Sequence, residues 1–409
     1  MGPGYNSWSL FPNSNLDWHR GIIILAHLMR STMAREKDNQ NISLFFSLVS
    51  SLIVFMFLSQ VFSSYIIKPL TYDGTLVRSG RYSFSFEAWD TISEVEETTI
   101  VAMGSSLTQY GINGSCITVG NDDRDSKTFN LGIPGSYPYL DMMQTERAVN
   151  SNPDLILLEI NPISLSKVSG IPNENIQLRF TLGSLHLKPS DYGKWLDIVR
   201  QSDRDYIDGL FQNRYNSESM YFDDSLEELL NRYRTQNSEG EWWEIDRHWY
   251  LSTPHPESEE WDEYLLEPTL LNGYLSKLSI EELQKYENET IPTLMMRDRY
   301  KPNLISNLNY DALDHMVSRF TNSGISVVLV SYPIHPIAMQ SLEPGQLDDH
   351  NSSISRLLSY DKTSSLNFLW NHNLNQDDFY DYEHIGEAGR QKMCTMISQE
   401  LSELIHLSH

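Results

Sequence analysis

Five short apolar runs, separated by helical patterns, constrain the fold of this chain more than any other feature. Each run is short and largely uninterrupted, as expected of strands buried on both faces of a sheet. The runs are Thr99–Met103, Thr128–Leu131, Leu155–Ile160, Ser326–Val330 and Leu366–Leu369. Because strands that alternate with helices form parallel sheets covered by helices, we predict an α/β fold with a five-stranded parallel sheet.

Apolar residues at helical spacing lie between the strands. In Tyr310–Phe320 they fall on one stripe, and a final amphipathic helix is expected after Gly386. These helices and the five strands place the predicted domain at residues 98–409.

A long segment, residues 164–307, interrupts the alternation and is rich in Tyr, Trp, Glu, Asp and Asn. We interpret it as a large, mostly helical insertion. Within it, Ser225–Tyr233 and Ser279–Tyr286 have the pattern of surface helices, and the second opens with Ser279 as a cap and Glu282 three residues on.

An uncharged run near the N-terminus, Ile42–Ile67, is dominated by Leu, Ile, Val and Phe. Because about 20 such residues cross the hydrocarbon core of a bilayer, we predict a single transmembrane signal anchor at 42–67. Residues 1–41 are then a cytoplasmic tail, expected to be disordered, and residues 68–97 are a linker. The large domain is expected on the extracytoplasmic side.

The net charge bears on the possible partners, and the two cysteines leave the choice between free thiols and a disulfide open. The formal net charge of −25 argues against nucleic acid as a partner, because its binding depends on Lys and Arg neutralising phosphates. The two cysteines, Cys116 and Cys394, are expected to be ordinary buried thiols. If their segments pack on one face of the sheet, a single disulfide is possible outside the cytosol.

Polar residues follow the predicted strands, at the edge where parallel sheets place their ligand crevice. Ser106 follows the first strand, where its own N–H and the start of a helix favour an oxyanion. Asp381 and His384 follow the fifth strand and can present a carboxylate and a base from one turn. Gly135, after the second strand, would let another N–H approach the same oxygen.

Four blocks of this sequence resemble those of the SGNH (GDSL-like) hydrolase superfamily. They read VAMGSSLTQYG, FNLGIPG, PDLILLEIN and FYDYEHIGEAG, and the resemblance covers residues 98–163 and 308–406. It implies a three-layer α/β/α domain in which Ser106 is the nucleophile, His384 the base and Asp381 the residue that orients the base. It also implies that the N–H groups of Ser106 and Gly135 donate to the oxyanion.

The sequence departs from the family pattern at two positions. Ser105 stands where the family usually has Asp. Membrane-anchored relatives that move acyl groups on envelope polymers also have this replacement. The family has an Asn donor where direct register puts Ile163, and Asn161, two residues earlier, is our candidate for that donor.

Further candidates for substrate binding lie at the same edge: Ser105, Tyr332 and His335. No Walker-type phosphate loop, HExxH motif or dinucleotide fingerprint is present, and we predict neither a metal nor a cofactor.

The resemblance implies hydrolysis or transfer of a small acyl group, such as acetyl, on cell-envelope or extracellular glycans through an acyl-enzyme on Ser106. A multispanning acyl-exporting membrane protein is then an expected partner. The alternative is a catalytically inactive surface protein that binds glycans, with Ser106 capping a helix and the Asp381–His384 pair merely local. Two roles are open for the Trp residues of the insertion, Trp261 among them: they stack on sugar rings, or they pack in the core.

Overall fold

A computed structural model describes the parts of the chain on which the fold rests. The described residues are 39–62, 77–117, 126–166, 194–201, 203–205, 261–266, 275–297, 308–370 and 373–407. The chain divides into two compact units, Met1–Ile66 and Ile67–His409.

The described part of the first unit is one helix, α1, which spans Asn39–Phe62. Leu44, Phe46 and Phe57 are among its exposed large apolar side chains. Within the described residues, no helix combines the length and the apolarity that a membrane span requires. The predicted span runs on to Ile67, outside the described residues.

The second unit is built on a five-stranded sheet in which all strands are parallel. The strands are β1 (Thr98–Met103), β2 (Ser126–Asn130), β3 (Leu155–Glu159), β4 (Ser326–Ser331) and β5 (Thr363–Asn367), in the spatial order β2-β1-β3-β4-β5. The predicted α/β fold with a five-stranded parallel sheet is therefore confirmed.

The two edge strands begin earlier than the sequence predicts. β2 starts with Ser126 and Lys127, and β5 starts with Thr363, Ser364 and Ser365, all of them only partly buried. An edge strand has a strand neighbour on one side only, so polar residues are tolerated there and the apolar signal covers only the end of the strand.

The helices of the second unit lie before, between and after the strands. They are α2 (Val77–Ile92), α3 (Ser106–Gly111), α4 (Pro138–Asp141), α5 (Thr145–Ser151), α6 (Pro162–Ser166), α7 (Trp261–Leu266), α8 (Ile280–Lys285), α9 (Ile291–Arg297), α10 (Leu308–Asn322), α11 (Pro336–Gln340), α12 (Pro344–Leu357) and α13 (Glu387–Leu407). The helices predicted at Tyr310–Phe320 and after Gly386 correspond to α10 and α13.

Alternate residues of the strands enter two separate apolar clusters, as the two-residue period of a strand requires. Val101 and Ile156 belong to a cluster that includes residues of α2, α5 and α10. Ala102 and Leu157 belong to another that includes residues of α3 and α13. Each face of the sheet thus has its own core, and α3 and α13 contribute to the same one.

A disulfide joins Cys116, which follows α3, to Cys394 in α13, with their Cα atoms 6.1 Å apart. The expectation of two ordinary buried thiols was therefore wrong. Both segments pack on one face of the sheet, which is the condition under which the sequence allows a bridge.

Parts of the predicted insertion are described, and they are mostly helical. Ser279 caps α8 in a reciprocal arrangement with Glu282, as predicted. Trp261 is buried and donates from Nε1 to the Thr91 hydroxyl at 3.0 Å, so it packs in the core. The predicted helix at Ser225–Tyr233 lies outside the described residues.

Candidate active site

Three side chains from two distant parts of the chain meet at the carboxyl edge of the sheet. Ser106 Oγ lies 2.8 Å from His384 Nε2, and His384 Nδ1 lies 2.8 Å from Asp381 Oδ2. Ser106 is 8% exposed and His384 is 5% exposed, so the serine–histidine contact is largely shielded from water. A hydroxyl, an imidazole and a carboxylate in this sequence form a chain along which the serine proton can move to the ring.

The serine is positioned by the turn between β1 and α3. Ser105 has extended backbone angles and caps α3, because its hydroxyl accepts from the Leu107 N–H at 3.1 Å. Ser106 is therefore the first residue of the helix and not its cap.

Gly104, the first residue of this turn, has a φ of +156°, which residues with a side chain rarely adopt. A Cβ there would collide with the Thr108 hydroxyl and with the side chain of Glu159. Glycine is required at this position because other side chains fill the space.

Glu159, the last residue of β3, lies under the serine turn and is 3% exposed. Its Oε2 accepts from the Ser105 N–H at 2.7 Å and from the Thr108 hydroxyl at 2.9 Å, and its carboxylate also accepts from the Ser105 hydroxyl at 2.9 Å. Glu159 was not among the site residues predicted from the sequence. The available signal was one acidic residue in an otherwise apolar strand, since carboxylates are rarely buried without hydrogen-bond partners.

Asn130, at the end of β2, holds the other end of the short helix α3. Its Nδ2 donates to the carbonyl oxygens of Thr108, Gln109 and Ile112 at 2.9–3.2 Å. Its Oδ1 accepts from the Gly132 N–H at 3.0 Å. The serine helix is thus tied to the neighbouring strand and loop. Asn130 was also not among the site residues predicted from the sequence.

The histidine lies in a tight loop that the aspartate organises. Asp381 Oδ1 accepts from the backbone N–H groups of Glu383 and His384 at 2.8 and 2.7 Å. A bridge between Phe379 and Ile385 closes the loop, and Tyr110 of α3 meets the His384 ring edge-on at 5.4 Å between centroids.

The charge state of Asp381 follows from these contacts. Burial acts to raise the pKa of this carboxyl, but attraction to His384 and the hydrogen bonds from the ring and the backbone outweigh it. The pKa of Asp381 therefore lies below its ordinary value, and the side chain stays a carboxylate at neutral pH.

The predicted oxyanion donors occupy different environments. Neither the Ser106 N–H nor the Gly135 N–H has an acceptor among the described residues, and Gly135 adopts a φ of +66°. The side chain of Asn161 is buried, donates to the Tyr332 carbonyl at 3.1 Å and accepts from the Ile163 N–H at 3.1 Å. One amide hydrogen of Asn161 is thus used within the fold, and its role as a donor stays a prediction.

All three predicted substrate-binding residues make contacts within the fold. Ser105 holds the serine turn through Glu159, as described above. Tyr332 is fully buried, and its ring packs so closely on Gly111 that a Cβ there would lie 2.8 Å from it. Contact with a substrate stays a prediction for both residues.

His335, the third predicted substrate-binding residue, is 1% exposed and caps α11. Its Nε2 lies 3.8 Å from Glu287 Oε1 and has no hydrogen-bond partner within the described part of the chain. Burial lowers the pKa of His335 to about 4, while the nearby Asp381 opposes this shift. The ring is therefore neutral at physiological pH.

The described ranges hold no group of three or more His, Cys, Asp and Glu side chains arranged to bind a metal ion.

The fold and these contacts define an α/β protein with a Ser–His–Asp site at the carboxyl edge of its sheet. No protein-family model matches the chain, and neither does any curated protein.

Proposed function

We propose that this protein is a serine hydrolase or acyltransferase of the SGNH type that forms an acyl-enzyme on Ser106. The observation that carries the proposal is the 2.8 Å contact between Ser106 Oγ and His384 Nε2, with Asp381 bound to the other ring nitrogen. Activation of a serine requires a base within hydrogen-bonding reach and a third group that orients the base.

In the first half of the reaction, Ser106 Oγ attacks the ester carbonyl carbon while its proton passes to His384 Nε2. The negative charge that develops on the carbonyl oxygen is stabilised by the Ser106 N–H, with Gly135 as second donor and Asn161 as the candidate third. The bond to the leaving alcohol then breaks, and the alcohol oxygen takes the proton from His384.

In the second half, water or a glycan hydroxyl attacks the acyl-enzyme. His384 accepts the proton of the attacking group and returns it to Ser106 Oγ as the acyl group leaves. Hydrolysis and transfer therefore use the same residues, and they differ only in the acceptor.

Membership of the SGNH superfamily is supported by the order of the elements. The serine follows β1, the glycine-bearing loop follows β2, and the Asp–His pair follows β5 and precedes a long helix. The two apolar clusters, one on each face of the sheet, fit the three-layer α/β/α arrangement that the family implies.

Location outside the cytoplasm, with glycans of the cell envelope as substrates, is part of the same proposal. The Cys116–Cys394 disulfide supports it, because such bridges persist in oxidising compartments. The uncharged run Ile42–Ile67 supports a membrane anchor, and a multispanning acyl exporter is the proposed partner. Release of the full-length chain from membranes by alkaline carbonate would contradict the anchor.

Covalent labelling tests the catalytic proposal directly. A fluorophosphonate probe should modify the protein once, and mass spectrometry should place the adduct on Ser106. Ser106→Ala should abolish the signal, whereas Ser355→Ala, which removes an exposed hydroxyl of α12, should label like wild type.

One observation favours a second candidate, a glycan-binding protein without catalysis. The side chain of Asn161 is engaged by Tyr332 and Ile163, so the third oxyanion donor has contacts of its own. A wild-type protein that binds glycans but does not react with the probe would select this candidate.

A further inference from the structure

Glu159, a buried carboxylate in contact with the serine turn, takes no part in the acyl-transfer steps. A carboxylate taken out of water costs several kcal/mol unless hydrogen bonds replace its hydration. Here the replacement comes from the turn that carries the nucleophile, through the Ser105 N–H, the Ser105 hydroxyl and the Thr108 hydroxyl.

These contacts determine the direction of the Ser105 hydroxyl. Because that hydroxyl donates to Glu159, its oxygen is left to accept, and it accepts from the Leu107 N–H at 3.1 Å. Glu159 therefore acts on the first turn of α3 both directly, through the Ser105 N–H, and through the Ser105 side chain.

As a result, three consecutive backbone N–H groups of this turn are used differently. The Ser105 N–H is bound to Glu159 and the Leu107 N–H to Ser105 Oγ, while the Ser106 N–H between them has no acceptor in the described ranges. The single unoccupied N–H of the three belongs to the residue whose hydroxyl contacts His384.

Gly104 supports the same interpretation. The space that a Cβ at this position would need is taken by the Glu159 side chain and the Thr108 hydroxyl. The backbone at Gly104, just before the nucleophile, thus lies directly against the Glu159 carboxylate. This close contact fits a role of Glu159 in fixing the position of that backbone.

We propose that Glu159 is a positioning residue for the acyl-transfer reaction: by binding the Ser105 N–H and hydroxyl, it aims Ser106 Oγ at His384 and leaves the Ser106 N–H for the oxyanion. The inference rests on the proposed function, because it assigns Glu159 to the same reaction. Glu159 acts through Ser105 and does not touch the substrate.

The central variant is Glu159→Gln, which keeps the shape but replaces an oxygen that accepts from the Ser105 hydroxyl with an amide NH₂, which can only donate. A mispositioned nucleophile reacts more slowly even when the reagent binds equally well. We therefore expect the maximal rate of fluorophosphonate labelling to fall about 10- to 100-fold, with the half-saturating probe concentration changed less than about 2-fold.

The matched control is Asp154→Asn. Asp154 lies next to the opposite end of β3 and also binds a backbone N–H and a hydroxyl, those of Thr99, at 2.8 and 3.4 Å. It makes the same kind of contact far from the serine turn, so this variant should label at the wild-type rate. Equal slowing of labelling in both variants would assign the effect to general destabilisation and overturn the proposal.

A second variant, Ser105→Ala, tests whether Glu159 acts through Ser105. It should also slow labelling, and the double variant Ser105→Ala/Glu159→Gln should be slower than wild type by less than the product of the two single effects. Multiplicative effects, or a wild-type rate in Ser105→Ala, would overturn the proposal, and this variant remains informative if Glu159→Gln does not fold.

The results separate the two proposals. A wild-type protein that does not react with the probe refutes the catalytic function, and the role of Glu159 falls with it. A wild-type protein that labels on Ser106, together with a Glu159→Gln variant that labels equally fast, refutes the role of Glu159 alone.

Discussion

Asp381 Oδ1 lies 2.7 Å from the backbone nitrogen of His384 and 3.0 Å from the ring nitrogen Nδ1 of the same residue. One carboxylate oxygen thus holds both the main chain and the side chain of the histidine. The ring can turn only by giving up this contact, so its other nitrogen stays directed at Ser106.

Asp381→Asn should leave the loop folded and strongly reduce the activity. The Asn oxygen can still accept from the backbone, but its NH₂ would face Nδ1 and favour the tautomer that carries the proton on Nε2. That tautomer cannot accept the serine proton, so we expect kcat for a small ester to fall about 10⁴-fold. The control is Asp377→Asn, which changes an exposed acid four residues earlier, and equal rates in the two variants would contradict the assignment.

His335 should make the stability of the protein depend on pH. Its pKa is about 4 in the folded chain, below the ordinary value of 6.5, because the ring is buried. Between these values the unfolded chain binds a proton that the folded chain does not, so this contribution is complete above pH 6.5 and is lost as the pH falls towards 4.

The variant that checks this is His335→Asn, which keeps an acceptor for the Ile337 N–H. From pH 6.5 to pH 5, wild type should lose about 2 kcal/mol more free energy of unfolding than the variant. Urea unfolding at the two pH values measures the difference. Parallel losses in both proteins would show that His335 titrates normally.

Gly104→Ala should damage the site as well as the fold. The added methyl group would displace Glu159 or Thr108, and overpacking of this kind costs about 1–3 kcal/mol. Fluorophosphonate labelling should slow at the same time, because the serine turn must shift.

Gly324→Ala provides the matched control for this substitution. Gly324 also has a positive φ, +93°, but nothing lies within 4 Å of where its Cβ would be. It should lose stability through backbone strain alone and keep the wild-type labelling rate. Slowed labelling in Gly324→Ala would show that the effect does not come from crowding at the serine turn.

Removal of the Cys116–Cys394 bridge should lower the stability of the domain. Loss of a native disulfide typically costs about 2–5 kcal/mol. Urea unfolding of wild type with and without reductant measures this loss, and Cys116→Ala/Cys394→Ala should not respond to reductant. Two titratable thiols in the purified oxidised protein under denaturing conditions would contradict the bridge.

The strands could be predicted from the sequence where they are central in the sheet, because central strands are apolar along their length. β3 and β4 are central strands with continuous apolar runs, and their predicted and observed ranges nearly coincide. The edge strand β5 was placed too late, because its polar first half is held by backbone hydrogen bonds to β4, which leave no trace in hydropathy.

The site was predictable only in part, because some of its contacts leave no local pattern in the sequence. Ser106, Asp381 and His384 stand in short motifs after strands, where topology alone brings them to one edge. Glu159 contacts a turn 54 residues away in sequence, and no local pattern reports such a contact. The direction of the Asn161 side chain depends on the path of a turn, which spacing does not define.

The disulfide also affects how the chain withstands cleavage. Cys116 and Cys394 close a covalent ring that contains β2 to β5 and the whole long segment between β3 and α10. A protease that cuts this ring once opens it without releasing a fragment, so the pieces bearing Ser106 and His384 remain joined. A nicked molecule would migrate as two bands only after reduction.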